Sequence, residues 1–162
     1  MHILVSRCLL GAPCRYDGKP QQNLRSELCS MGFREEDIIA VCPECDAGLP
    51  VPRKPSEIVG GTAAEIFEGR ARVLAQDGAD NTDAFLCGAR IALRTAETFG
   101  IRTALLKSRS PSCSPDRIYD GSFCGRLIPG KGLTALLLHN RGIELFSEET
   151  LDALSRHICP HS

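Results

Sequence analysis

The sequence lacks a dominant charge: 19 Lys and Arg stand against 20 Asp and Glu in 162 residues, for a formal net charge of -1. That balance gives no electrostatic argument for nucleic acid or an anionic membrane as principal partner, so a small-molecule substrate is expected. Long apolar runs are missing too. No stretch approaches the ~20 residues that span a bilayer, and only a brief apolar run separates Met1-His2 from Ser6 and Arg7. Neither a signal peptide nor a membrane partner is expected, and the chain reads as cytoplasmic. Histidine is scarce: His2, His139, His157 and His161 lie away from the cysteine-bearing loops described below, so no Cys/His catalytic pair is apparent. Repeats are limited to two similar tripeptides, Tyr16-Asp17-Gly18 and Tyr119-Asp120-Gly121, and low-complexity segments are absent.

Cysteine is what the chain has in excess. Nine are present, a high and odd number for a reducing compartment, where disulfides are rare and clustered thiols more often mean metal or catalysis. They are not needed as staples. A chain of this length buries ~68–70% of its unfolded surface as one domain, here taken as residues 1–162.

The placement of the thiols is more telling than their number. Ile3-Leu4-Val5 runs into Ser6-Arg7-Cys8, Ile38 to Val41 runs into Cys42-Pro43-Glu44, and Thr103 to Leu106 runs into a Ser/Pro loop that ends at Cys113. Each apolar, partly β-branched run reads as a strand stopped by residues that cannot extend it. Three strands thus hand a cysteine each to one rim.

Between them the pattern alternates. Strands are expected at 2–6, 37–41, 102–107 and 143–146. Leu24, Leu28 and Met31 mark a short helix over 24–32, and Gly130-Lys131-Gly132 opens another through Leu138. A long helix, capped by Asn81 or Thr82, runs to about Phe99 with Phe85, Ala89, Ala92, Leu93 and Ala96 on one face. Ser147-Glu148-Glu149-Thr150 starts a last helix reaching His157. Gly48 to Gly61, rich in proline and glycine, reads as an extended loop of functional or lid type. Residues 65–75 read as a strand or hairpin, and Ile118 to Phe123 as a turn. Strand and helix in alternation predict a single-domain, Rossmann-like three-layer α/β fold. Its mainly parallel sheet has four to five strands with helices on both faces, and its site lies at the C-terminal strand edge.

Cys8, Cys42 and Cys113 stand singly, unlike the paired ligands of structural zinc sites. Soft thiolates select zinc, copper(I) or iron-sulfur clusters, and three of them leave a coordination position open for water or substrate. Glu44, two residues from Cys42, is then placed for proton transfer. Other readings compete. Cys29, Cys87 and Cys159, within or beside helical patterns, suit small core residues. Cys42-Pro43-Glu44-Cys45 has the spacing of a dithiol redox motif, but Asp46-Ala47-Gly48 is a poor helix start, and Cys45 reads as an exposed extra thiol. Ser110 and Ser112 beside Pro111 also suit an ordinary turn. Gly130-Lys131-Gly132 is a fragment of a phosphate loop and reads as a helix entrance.

Taken together, four motifs resemble a known family. They are Val-Ser-Arg-Cys-Leu-Leu-Gly with Cys-Arg-Tyr-Asp-Gly (5–18), Val-Cys-Pro-Glu followed by Gly-Leu-Pro-Val-Pro-Arg (41–53), Leu-Lys-Ser-Arg-Ser-Pro-Ser-Cys (106–113) and Ile-Tyr-Asp-Gly-Ser-Phe (118–123). The chain is similar over nearly its whole length to the small bacterial thiouracil desulfidase family. The resemblance implies a 4Fe-4S cluster with three cysteine ligands, Cys8, Cys42 and Cys113, and one open iron. Cys8 rather than Cys14 is taken as first ligand because it sits at the strand end.

The resemblance further implies Glu44 as acid/base and Ser110 as a proton-shuttling hydroxyl. Ser108, Ser112, Tyr119, Asp120 and Ser122 follow as substrate-binding residues. The implied reaction is non-redox conversion of 2-thiouracil or 4-thiouracil to uracil and hydrosulfide, with the substrate sulfur on the open iron. Oxygen sensitivity and loading by iron-sulfur assembly machinery come with that reading. Arg7, where the family more often has a small residue, and Cys45, an added thiol, are departures that bear on substrate choice. A non-catalytic iron-sulfur or sulfide carrier and a zinc or dithiol redox protein are the alternatives.

Overall fold

Three mainly apolar runs and a half-polar one, Glu144 to Ser147, each of four residues, form the strands of one parallel sheet, and the segments between them fold over its faces. The computed structural model describes residues 1–160, so His161 lies outside the described residues. In chain order the elements are β1 (Ile3–Ser6), α1 (Arg25–Ser30), β2 (Ile38–Val41), α2 (Pro43–Asp46), β3 (Ser56–Val59), α3 (Ala63–Phe67) and β4 (Arg72–Ala75). There follow α4 (Thr82–Thr98), β5 (Thr103–Leu106), β6 (Arg117–Tyr119), β7 (Leu127–Pro129), α5 (Leu133–Asn140), β8 (Glu144–Ser147) and α6 (Leu151–Ile158).

The main sheet has the order β2-β1-β5-β8 with every pairing parallel. Central parallel strands are covered on both faces and must be apolar throughout, and Ile3, Leu4, Val5, Ala104, Leu105 and Leu106 are fully buried. Alternation along the strands divides them between two cores. Leu4, Ala104 and Leu106 join Ala92 and Ala96 of α4 and Ala135 and Leu138 of α5. Ile3, Val5 and Leu105 join Leu28 of α1 and Leu154 of α6. Each such Leu or Ile contributes about 1.5–3 kcal/mol by leaving water. The expected three-layer α/β architecture is present, with four strands in its sheet.

A third core sits beside the sheet, where Ile58 of β3, Ile66 of α3 and Val73 of β4 pack on Phe85 and Ala89 of α4, Ile118 of β6 and Leu133 of α5. Here several expectations need correction. Residues 65–75 are not one strand or hairpin: Ala63–Phe67 is helical, with the Thr62 hydroxyl accepting the Glu65 N–H, and Arg72–Ala75 pairs antiparallel with β3. A five-residue apolar segment is ambiguous by periodicity, and the Thr62 cap decides it. β3 in turn lies inside the segment 48–61 read as loop. Ile118 to Phe123 is only partly a turn, since Arg117–Tyr119 pairs with Leu127–Pro129. The long helix is where it was expected, but its first N–H groups are not held by Asn81 or Thr82. Asp80 accepts the Thr82 N–H at 2.9 Å, while the Thr82 hydroxyl accepts the Val73 N–H at 3.0 Å.

Candidate active site

From β1 the chain passes to β2 on one side and returns on the other side as β5, so strand order reverses between β1 and β5. Loops leaving such neighbours diverge and open a crevice at the C-terminal edge. The crevice is a cleft of about 910 Å³ lined by Cys8 after β1, Cys42 and Glu44 after β2, Ser110 and Cys113 after β5, and Glu148 after β8. The three strand-end cysteines therefore share one cavity.

Two further thiols join them. The Cys14 carbonyl accepts hydrogen bonds from the thiols of Cys45 at 3.5 Å and Cys42 at 3.8 Å, and the Cys14 thiol lies within reach of those of Cys8 and Cys42. Cys45 is half-buried, not an exposed extra. Cys29 and Cys87, by contrast, are exposed and Cys159 is half-buried, so none fills the core place expected. Leu28 alone of α1 is buried, and the inward face of α4 is carried by Phe85, Gly88, Ala89, Ala92 and Ala96; Cys29 and Cys87 fall one position off those faces.

Cys42-Pro43-Glu44-Cys45 does enter a helix, contrary to expectation. Cys42 is the N-cap and Pro43 the first residue of α2, a single turn, since proline at that position costs no hydrogen bond. Asp46 closes the turn by accepting the Cys42 N–H at 3.1 Å and is itself paired with Arg7 at 2.8 Å. Both thiols of this turn are pushed above their ordinary range. The hydrogen bond with Cys14, then burial, pushes Cys42 well up, and burial followed by Cys42 raises Cys45. Cys14 is drawn down by Cys42 but pushed up more by Cys8 and burial, to about 11. Burial pushes Cys113 up to about 12. Thiols in this state need a cationic centre to ionise them, as a bound metal does outright. Among the described residues no three Cys, His, Asp or Glu close on a single metal-ion position. An all-thiol donor set, spread around a cavity, fits an iron-sulfur cluster better than a tetrahedral zinc site.

Glu44 faces the same cleft and is held by a residue the spacing argument passed over. Arg53 donates from Nε at 2.7 Å and Nη2 at 2.5 Å to Glu44 Oε2, with the two side chains only 9% and 16% exposed. It also donates to the carbonyls of Cys14 at 3.2 Å and Pro50 at 3.1 Å. Arg53 lies within the Gly-Leu-Pro-Val-Pro-Arg motif, but nothing local to that loop reveals its partners. Ser110 Oγ accepts the N–H groups of Ser112 at 3.1 Å and Cys113 at 3.0 Å, capping the turn that presents the third thiol. Lys107 and Glu148 form a partly buried pair at 2.5 Å.

The family model for 2-thiouracil desulfurase matches residues 3–150. The chain belongs to that family. It is therefore an enzyme acting on a C–S bond. Uncharacterized protein YbbK of Bacillus subtilis (strain 168) is 38% identical over 150 residues, covering 93% of this chain and 97% of YbbK. A solved structure of the 4Fe-4S-dependent thiouracil desulfidase TudS superposes with a TM-score of 0.85 and 41% identity over 98% of both chains.

The other positions read as desulfurase substrate contacts are distributed unevenly. Ser108 and Tyr119 line the cleft, although the Ser108 hydroxyl donates to Glu148 at 2.6 Å. Ser112 is fully buried and bonded to the Thr134 hydroxyl at 2.9 Å, because its side chain points under the loop rather than over it. Asp120 and Ser122 are bonded to one another at 2.5 Å and do not line the cleft. A missed residue stands nearer: buried Glu57, which lines the cleft, accepts the N–H groups of Gly121 at 2.9 Å and Phe123 at 3.3 Å. It pins the 120–125 turn against β3, where a Cβ on Gly121 would lie 2.6 Å from the Ile58 carbonyl oxygen.

Proposed function

We propose that this enzyme converts a thiolated pyrimidine of the 2-thiouracil or 4-thiouracil type and water into uracil and hydrosulfide, without net redox change. The observation that carries the reading is the convergence of Cys8, Cys42, Cys113 and Glu44 on one cleft. The 4Fe-4S dependence of the similar TudS structure supports it. Cys8, Cys42 and Cys113 would hold a 4Fe-4S cluster. When bound, the cluster supplies a soft Lewis acid with an open position, suited to thiocarbonyl sulfur.

The protein's own groups supply the rest. Glu44 Oε1, on the carboxylate oxygen that Arg53 does not hold, takes a proton from the attacking water. The Ser110 hydroxyl, whose oxygen accepts two backbone N–H groups, keeps its own proton for relay into the cleft. A sulfide carrier would have no use for an oriented carboxylate, so the Arg53-held Glu44 favours catalysis. The enzyme is read as cytoplasmic and loaded by the iron-sulfur assembly machinery.

Anaerobic reconstitution with iron and sulfide, followed by 2-thiouracil and a free-sulfide assay, tests the reading. The protein is expected to turn brown and release sulfide. Glu44→Gln should keep the colour and lose about 10²–10⁴ in turnover, the range for a general acid/base, while Cys42→Ala should lose both. A colourless protein that takes up zinc instead, or full turnover in Glu44→Gln, would sink it.

A further inference from the structure

A carboxylate that moves a proton must be aimed, and the means of aiming Glu44 is visible. Both donors that Arg53 offers, Nε and Nη2, converge on the single oxygen Oε2, while Oε1 accepts no hydrogen bond from the described residues. The remaining guanidinium contacts fix Arg53 itself. Nη2 reaches the Cys14 carbonyl, Nη1 reaches the Pro50 carbonyl and, at 3.9 Å, the Cys45 sulfur, and the Arg53 N–H donates to the Tyr16 carbonyl at 2.7 Å. One side chain thus joins the segment after β1, the α2 turn and the 48–55 loop.

We infer that Arg53 is a positioning residue that holds Glu44 Oε2 so that Oε1 is presented to the reacting water. The inference rests on the reading of Glu44 as acid/base. A planar fork with fixed donor directions is what the role requires. Lysine keeps the charge but, as a flexible point donor, cannot reach Oε2 twice and both carbonyls as well. Arg53 need not touch substrate to matter, because a displacement of about 1 Å in a reacting group can cost 10²-fold in rate.

The test is a kinetic cycle of Arg53→Lys and Glu44→Gln in the anaerobically reconstituted enzyme with 2-thiouracil, with iron content and melting temperature measured on each variant. Arg53→Lys should lower kcat by about 10²-fold while leaving KM, iron per chain and melting temperature near those of the parent. In the Glu44→Gln background the same change should cost almost nothing, since groups acting as a unit are not additive. Three results would overturn the inference: parental kcat in Arg53→Lys, an equal kcat loss in both backgrounds, or a loss of iron or melting temperature that accounts for the rate. Full turnover in Glu44→Gln alone would instead overturn the acid/base reading beneath it. Because Arg53→Gln removes the charge, it should lower kcat at least as far as Arg53→Lys; a parental kcat there would equally overturn the inference.

Discussion

At Ser110 a single hydroxyl oxygen holds two backbone N–H groups of the loop that ends in Cys113. Replacing a cap of this kind by alanine costs about 0.5–2 kcal/mol. Ser110→Ala is therefore expected to lower the denaturation midpoint at an unchanged m-value, in addition to any effect on turnover. Glu148 offers a prediction in pH. Burial pushes its carboxyl up, but hydrogen bonds from Lys107 and Ser108 outweigh it and hold the group below its ordinary value of 4.5. A depressed folded pKa contributes stability above the unfolded value, and that contribution is lost as pH falls through the folded one. The difference in melting temperature between the parent and Glu148→Gln should be constant from neutral pH to about 5 and shrink below about 4.5. A difference that grows on acidification would refute the assignment.

Among the elements, the approach of α2 to α4 decides where Cys42 and Glu44 stand. A Cβ added at Gly88 would lie 2.2 Å from the Pro43 carbonyl oxygen and 2.7 Å from its carbon. The obstacle is backbone, so the α2 turn would have to move. Gly88→Ala should cost about 1–3 kcal/mol by overpacking and should also lower the iron retained on reconstitution, whereas Cys87→Ala on the exposed face should stay within about 0.5 kcal/mol and keep full iron. Gly132 plays the same part for α5, since a Cβ there would meet the Ser112 carbonyl group at 2.4 Å. Close helix contact, more than any cross-link, sets the thiol-bearing loops.

For the molecule as a whole, the two cores on either side of the sheet make a scaffold that the cysteine-bearing rim joins only at its edge, through Cys113 on one face and Cys8 on the other. The buried apolar residues of β1 and β5 pack into those cores and none of them lines the cleft. A cofactor that binds only the folded chain must still stabilise it by mass action. Removing iron with a chelator should therefore leave a folded protein that melts lower, by roughly 2–4 °C for each kcal/mol of binding. Calorimetry of the two forms under nitrogen, with the holo form remeasured after exposure to air, checks this and the oxygen sensitivity that the proposed cluster predicts. Complete unfolding on chelation would mean that the rim, not the sheet, carries the fold.

Much of the fold is legible in the sequence alone. The strands that lead to Cys8, Cys42 and Cys113 follow from apolar runs broken by Ser, Pro and charged residues, and α4 from its 3.6-residue repeat of Phe and Ala, because these signals are local. What stayed hidden depends on neighbours distant in sequence. Whether residues 65–75 coil or extend was settled by the Thr62 cap on Ala63–Phe67 and by β3, a strand inside an apparent loop that pairs with Arg72–Ala75. Cys14 and Cys45 joined the thiol cluster because the segment after β1 folds back onto α2. Arg53 became the partner of Glu44 through the turn of the 48–55 loop, and Ser112 was taken out of the cleft by Thr134 on α5. The residue sequence thus determined which groups end each strand and which family the chain belongs to. Only the tertiary structure decided which of those groups meet, since strand order and loop closure are set by burial of surfaces that no local window contains.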